Sequence, residues 1–458
     1  MSKSIKLKKG FTINLAGKAE KKIGPDITPD TYVLKPTDFP GMARPKVAFK
    51  EGDTVKAGTP ILFDKKADKV MFASPVSGEI VAIERGAKRK LLGIKILADK
   101  EIEFEEGKKF SISEIESLNA DEAKEIMLAK GVWPNIIQRP YAVIANPEDT
   151  PKSIFISAFD SHPLAPDYAF IFKDQDKYFQ AGVEILKKLT KGPIHVNING
   201  DDEVPAIFSK AKNIQLNKFY GKHPAGNVGV QIHHIDPINA GDIVWTLNPY
   251  GVIQIGKLFM EGIYDASKII AVAGSEVKTP QYYKTYLGAS VKKFVEGNLN
   301  SDHVRVISGN VLTGEKVGLE GSMGYYDHML TIIPEGDNQR FVLTDGWFSV
   351  TSKRLSFHRA LGLLSFLNSG NKEYVLDTNT NGQKRAFVMT GAFEKVVPMD
   401  IYPTHLLKAI LAEDFDEMEA LGIYEIAEED LALCEYIDVS KHDVQSIVRK
   451  GINLMMEG

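Results

Sequence analysis

The chain has 458 residues, 43% of them hydrophobic and 25% charged, with a formal net charge of −4. That length asks for three or four domains rather than one core, and the slightly acidic balance excludes a general nucleic-acid binder. One cysteine, Cys434, excludes an intrachain disulfide and a thiolate-held iron–sulfur cluster, and the richest apolar run, Ala360–Leu367, is far shorter than the ~18–20 residues of a membrane span.

The opening "MSKSIKLKKGFTINLAG" lacks the apolar h-region of a signal peptide, so a cytoplasmic protein is expected. The next stretch reads as a set of short strands. "KVAFKEGDTV" gives strand, Gly52-Asp53 turn and strand; "TPILFD" a third; "KVMFASPVSGEIVAI" two more around Ser77-Gly78; "KRKLLGIKIL" closes the set. Strands this short with glycine turns predict a small flattened β-barrel like that of biotin and lipoyl carriers. In modified carriers the lysine lies about sixteen residues after the first turn glycine and about eleven before the second. Those counts land on Asp68 and Ala67, while Lys65, Lys66 and Lys69 miss one or both. The expectation is a solvated lysine cluster on an unmodified hairpin.

From residue 101 strands and helices alternate. "LNADEAKEIMLAKGVWP" predicts a helix with Asn119 as N-cap, Glu122 completing a capping box and Gly131 as the stop. "YAVIAN" and "SIFISAF" are β-rich runs. "DKYFQAGVEILKKLTKG" is a helix ending at Gly192, "PIHVNING", "NIQLNKF" and "DIVWTL" are strands, and "PYGVIQIGKLFMEG" is a helix. This alternation predicts parallel pairing in a Rossmann-like layer over 101–262. A smaller β-rich unit runs from "KIIAVAG" through "HVRVISG", and the last hundred residues hold a linker followed by helices.

Cofactor motifs are scarce. "GNVLTGEK" (Gly309–Lys316) has P-loop glycine spacing, but Glu315 stands where the phosphate-binding lysine belongs, so it reads as a hairpin turn. "PAGNVG" offers two glycines, short of a dinucleotide clamp. In "HPAGNVGVQIHHIDP", His233 and His234 would point to opposite faces of a strand and could not share one metal ion. His223 can donate to a carbonyl-bearing ligand or serve as a structural histidine. Cys434 reads as a packed thiol. "GVWPNIIQRPYAVI" gathers Trp133, Arg139 and Tyr141 beside two prolines. Aromatic faces and a guanidinium donor suit a planar ligand such as a quinone; the competing reading is inter-domain packing.

Taken in order, "KLKKGFTINLAGKAE", "GMARPKVAFKEGDTVKAGTPILFDKK", "SPVSGEIVAIERGAKR", "HPAGNVGVQIHHIDP", "VIQIGKLFMEG", "VISGNVLTGEKV" and "EDLALCEYID" make a chain that resembles the A subunits of the bacterial Na⁺-translocating NADH:quinone reductases. That family is similar to the C subunit of the Rnf complex and to the flavoprotein subunit of complex I, whose cluster cysteines are missing here. The resemblance implies an α+β multidomain protein: a barrel-sandwich hybrid at 1–100, a Rossmann-like domain at 101–262, a β-grasp-like (SLBB-type) domain at 263–340, and a linker with helical C-terminal domain at 341–458. It implies a peripheral subunit on the cytoplasmic face of the inner membrane. The other subunits of the pump are its partners and carry the flavins and the iron–sulfur cluster, no cofactor is bound by this chain, and quinone is the substrate it helps to bind. The quinone contacts expected are Trp133, Arg139, Tyr141 and His223. Two other readings stay open: a stand-alone flavin/NADH electron-input protein, and a lipoyl or biotin carrier.

Overall fold

The computed structural model describes residues 2–337 and 372–457. Ala360–Leu367 and most of the expected linker lie outside the described residues.

The first hundred residues form two small sheets whose apolar side chains meet in a common core, with Ile61, Phe72, Ile80, Ile94 and Ile96 fully or nearly fully buried. One sheet orders Thr31–Leu34, Leu91–Ala98, Gly78–Arg85 and Thr54–Val55; the other orders Pro45–Val47, Pro60–Asp64 and Ala67–Ala73. The Gly52-Asp53 turn therefore does not close a hairpin. Pro45–Val47 and Thr54–Val55 belong to different sheets, and the chain crosses from one to the other there. It returns between Val55 and Pro60 and crosses again before Gly78, whose φ of +151° fits a backbone so close that a Cβ would lie 1.9 Å from the Leu97 carbonyl. Lys65 and Lys66 form an exposed hairpin tip, fixed from behind by Asp64, which accepts the N–H groups of Ala43, Arg44 and Lys66.

Ser4–Lys6 does not join these sheets. It pairs in parallel with Gln215–Tyr220, at the edge of a seven-stranded sheet. That sheet continues through Ile194–Asn199, Ser153–Ser157 and Val244–Leu247, all parallel, and ends with two antiparallel strands, Ile137–Arg139 and Val143–Ile144. The expected "YAVIAN" strand is reduced to Val143–Ile144, because Tyr141 and Ala142 take left-handed φ values of +83° and +51°. Side chains of the parallel strands alternate between two cores: Ile154 and Ile156 join the main one, Phe155 and Val244 a second with Ile232 and Ile238. Helices Asp176–Lys188 and Pro249–Glu261 cross at two glycines: a Cβ at Gly182 would meet the Val252 carbonyl at 2.1 Å, and one at Gly256 the Tyr178 carbonyl at 1.8 Å.

Asn119 caps Ala120–Ala129 through the N–H of Asp121, without the expected box to Glu122. A capping box occurs one helix earlier, between Ser111 and Glu114. "HPAGNVGVQIHHIDP" holds a helix, Val228–Ile235, not a strand.

The third unit is a five-stranded mixed sheet ordered Gln281–Tyr286, Ser267–Ala273, Met329–Pro334, Val304–Ser308 and Glu315–Val317. Its last two strands form an antiparallel hairpin across Gly309–Gly314, so the P-loop-like spacing is a turn. The C-terminal unit contains helices Pro403–Ala412, Phe415–Ala420, Ala432–Ile437 and Val444–Glu457, with Cys434 buried.

Candidate functional site

Among the four consecutive parallel strands the spatial order is third, second, first, fourth. The chain leaves Ser153–Ser157 toward one side and returns to the other at Val244–Leu247. Loops beyond such a reversal diverge and leave a crevice at the carboxyl ends of the strands. A cavity of ≈ 1500 Å³ opens there. Its walls come from all four units: Pro36–Ala43 of the barrel, the strand ends Ser157 and Leu247, Tyr326–Met329 of the mixed sheet, and Glu428, Glu429 and Arg449 of the C-terminal unit.

One wall is a chain of buried and half-buried charges. Asp160 follows directly on the Ser153–Ser157 strand and loop. Its Oδ1 accepts the backbone N–H of His162 at 2.8 Å and the ring Nδ1 at 2.6 Å. Burial alone would raise the Asp160 carboxyl, but the His162 charge and hydrogen bonds bring it down to about 2. Burial works against a charged His162 as well, and Asp160 outweighs it, so His162 is raised. Behind it, 4.5 Å ring to ring, lies His223. Burial, then the nearby His162 charge, holds His223 well below its ordinary value. Ser161 Oγ accepts from Gly226 N–H, leaving its own hydrogen for His223 Nδ1 at 3.0 Å.

Arg139 is 3% exposed. Its guanidinium donates to Glu429 Oε1 at 2.8 Å and to Asp430 Oδ2 at 3.4 Å. Asp430 Oδ2 also accepts Ala427 N–H at 2.9 Å, and Asn227 Nδ2 donates to the Glu429 carbonyl at 3.0 Å. Burial raises both carboxyls, and Arg139 opposes this without cancelling it. Arg139 Nε, His162 Nε2, His223 Nε2, Asn227 Oδ1 and Asp430 Oδ1 are buried with no hydrogen-bond partner.

Another part of the lining is aromatic and acidic. Phe39, Tyr168 and Tyr326 line it, with Phe39 and Tyr326 in edge contact at 6.3 Å. Asp38 beside them is raised to about 6 by burial, against the pull of Lys35 and the Tyr325 N–H. Just behind, Lys268 is buried, donates to the Tyr325 carbonyl at 3.0 Å, and is lowered to about 7 by burial.

The four residues expected to meet a quinone are not brought onto one surface. Arg139 lines the cavity. His223 stands one layer back, behind His162. Trp133 is fully buried, its indole N–H on the Ala145 carbonyl at 2.7 Å and its ring edge-on to Trp245 at 5.5 Å. Tyr141 packs edge-on against Tyr424 at 6.0 Å, and its carbonyl accepts from Arg449 at 3.0 Å. Sequence reasoning missed Asp160, His162, Glu429 and Asp430. The signal for the first two was "FDSH" directly after an apolar strand of the parallel layer, the place where such sheets put their chemistry.

His233 and His234 are neighbours on a helix, with separate partners. His233 takes Glu425 at 2.6 Å and the N–H of Asp400 at 3.1 Å, and His234 Nδ1 donates to the Val230 carbonyl at 2.9 Å. Among the described residues no group of three or more His, Cys, Asp and Glu side chains could hold a metal ion.

Three family models match the chain: an NqrA N-terminal barrel-sandwich hybrid domain over residues 5–99, an NqrA second alpha/beta domain over 118–264, and an NQRA C-terminal domain over 269–318. The A subunit of the Na(+)-translocating NADH-quinone reductase of Alcanivorax borkumensis is 36% identical over 450 residues, 98% of each chain. Its namesake in Neisseria meningitidis serogroup B is 37% identical, over 97% of this chain and 98% of that one. Among solved structures, an NAD+-reducing [NiFe]-hydrogenase aligns at TM-score 0.36 and 10% identity, covering 78% of this chain and 67% of that one; so loose a likeness carries no argument.

Proposed function

Because this chain belongs to the family of A subunits of the Na⁺-translocating NADH-quinone reductases, which are translocase complexes, we propose that it is the peripheral cytoplasmic subunit of such a pump and that a quinone head group binds in its central cavity. In this reading NADH oxidation and Na⁺ transport proceed on the other subunits, which also carry the flavins and the iron–sulfur cluster. Three facts support it: no described helix is long and apolar enough to cross a membrane, the chain has a single cysteine, and no glycine-rich dinucleotide clamp follows its described parallel strands. We also read the parallel layer as Rossmann-like, on its third-second-first-fourth strand order, and the Ser267–Pro334 unit as β-grasp-like, on its mixed sheet.

The observation that carries the quinone reading is the composition of the ≈ 1500 Å³ cavity: the aromatic side chains of Phe39, Tyr168 and Tyr326 and the polar groups around Arg139 line the same space. A quinone head is planar and apolar with two carbonyl acceptors, and it needs such a pairing of wall and donors. Of the contacts expected from sequence, Arg139 stays as a lining residue, while Trp133, Tyr141 and His223 are not among the residues that line the cavity. Calorimetry with a short-chain ubiquinone tests the reading. The full chain should bind it, and Tyr168→Ala should weaken binding several-fold with little change in the melting curve. Binding unchanged in Tyr168→Ala, or absent from both the chain and the intact complex, overturns it.

A further inference from the structure

The polar wall carries an excess of one negative charge. Asp160 and His162 balance each other at 2.6 Å. Glu428 and Arg449 do the same through two hydrogen bonds of 2.7 and 2.6 Å. His223, kept neutral by burial, adds nothing. That leaves the Arg139 guanidinium facing both Glu429 and Asp430. Two carboxylates on one cation inside a protein cannot both stay ionised cheaply, because the uncompensated charge meets a low dielectric. Taking up one proton makes the wall neutral. Burial accordingly raises both carboxyls above their usual range, and a tightly coupled pair of this kind titrates as a unit.

The count of donors favours Glu429 as the place of the proton. Asp430 has more donors for a charge: its Oδ2 accepts from Ala427 N–H and Arg139 and lies over the first turn of the Val228–Ile235 helix, while its Oδ1 has no partner. Glu429 is bonded at its side chain by Arg139 alone among the described residues, and 38% of that side chain is open where it lines the cavity. Arg139 lines the same cavity with Nε unpartnered. A neutral carboxylic acid in a partly apolar site is a hydrogen-bond donor that an ionised carboxylate cannot be.

We propose that Glu429 and Asp430 share one proton, and that protonated Glu429 donates a hydrogen bond to a carbonyl oxygen of the quinone in the cavity. This assignment rests on the quinone reading above and adds to it the group that discriminates a carbonyl-bearing ligand. It fixes the sign of the pH dependence. The donor exists while the pair holds its proton and is lost as pH rises through the titration of the pair, so affinity falls by up to about tenfold per pH unit there.

The test is calorimetric binding of a short-chain ubiquinone to the full chain between about pH 6 and pH 9. Wild type should bind more weakly as pH rises. Glu429→Gln keeps a neutral donor, so it should bind within about threefold of wild type at the low end and lose the pH dependence. Glu429→Ala should bind about tenfold more weakly throughout. If Glu429 only anchors Arg139, Gln will fail as badly as Ala and wild-type affinity will not fall with pH; that result overturns the proposal. A second measurement needs no variant. Infrared difference spectra of wild type should show a protonated-carboxyl band that shifts when quinone is added. Quinone binding without any such shift sinks the shared proton and leaves the quinone reading standing. No binding by either the chain or the intact complex removes both.

Discussion

Asp430 lies so close over Gly229 that a Cβ added at the glycine would stand 2.3 Å from its Oδ2. The two residues are 201 apart in sequence, one on the C-terminal unit and one on the first turn of Val228–Ile235. The fit of the C-terminal unit onto the parallel layer thus depends on the absence of a side chain. Gly229→Ala is expected to cost about 1–3 kcal/mol by overpacking, although alanine suits a helix better. The double variant Gly229→Ala/Asp430→Ala should recover part of that loss. Denaturant unfolding of all four members of the cycle checks this, and strictly additive effects would contradict it.

Trp133 is expected to matter for stability and little for ligand. Its indole is fully enclosed, hydrogen-bonded to Ala145 and packed on Trp245. Trp133→Ala should lower stability by about 3–5 kcal/mol, with quinone affinity unchanged in the folded fraction. A melting curve beside a binding isotherm decides; a weak binder of near-native stability would return Trp133 to the ligand.

The Asp160–His162 pair has a signed pH signature. Asp160 is lowered to about 2 from its ordinary 3.8, so its contribution is full above that ordinary value and fades as pH falls toward 2. His162 is raised above 6.5, so its contribution is full below 6.5 and fades as pH rises through the raised value. Asp160→Asn should therefore be most destabilised, by about 3 kcal/mol, between about pH 4 and pH 6.5. Unfolding free energies at several pH values should show the gap from wild type narrowing on both sides, and a flat gap would count against the pair.

Lys268 gives the opposite slope. It is 6% exposed and lowered to about 7 by burial. A lysine that binds its proton less tightly when folded makes the fold gain stability as pH climbs from about 7 toward its unfolded value. Relative to Lys268→Met, wild type should gain up to about 1.4 kcal/mol per pH unit in that range. Parallel curves would show that Asp38 and Asp327 keep the ammonium charged.

Residue type and spacing made much of this molecule legible. Local signals held where the physics is local: Asn119 caps its helix, Gly131 follows it with φ +78°, and "PYGVIQIGKLFMEG" folds as the helix Pro249–Glu261. They failed where a distant segment decides. No pattern near Gly52 says that the strands on either side of it enter different sheets. "VGVQIHHI" alternates well enough for a strand, yet folds as a helix whose outer face meets Glu425 and Asp400. The cavity was the least legible. Arg139 was visible as a lone guanidinium among aromatics, but its partners, Glu429 and Asp430, arrive 290 and 291 residues later, and an acidic pair on a helical stretch reads as solvent-facing until the segment that covers it is known.

The strand Ser4–Lys6 sets an order of events for synthesis. It is made well before its partner Gln215–Tyr220, which appears some two hundred residues later, and Lys3 reaches the same region through Asn217 and the Ile235 carbonyl. The barrel can close on its own strands while this segment waits, so residues 4–6 are among the last to be fixed, at the entropic cost of a long loop. A tag fused ahead of Ser4 would therefore sit beside the open edge of the central sheet, and a nascent chain stalled before Tyr220 would leave the ribosome with a finished barrel and a loose leading strand.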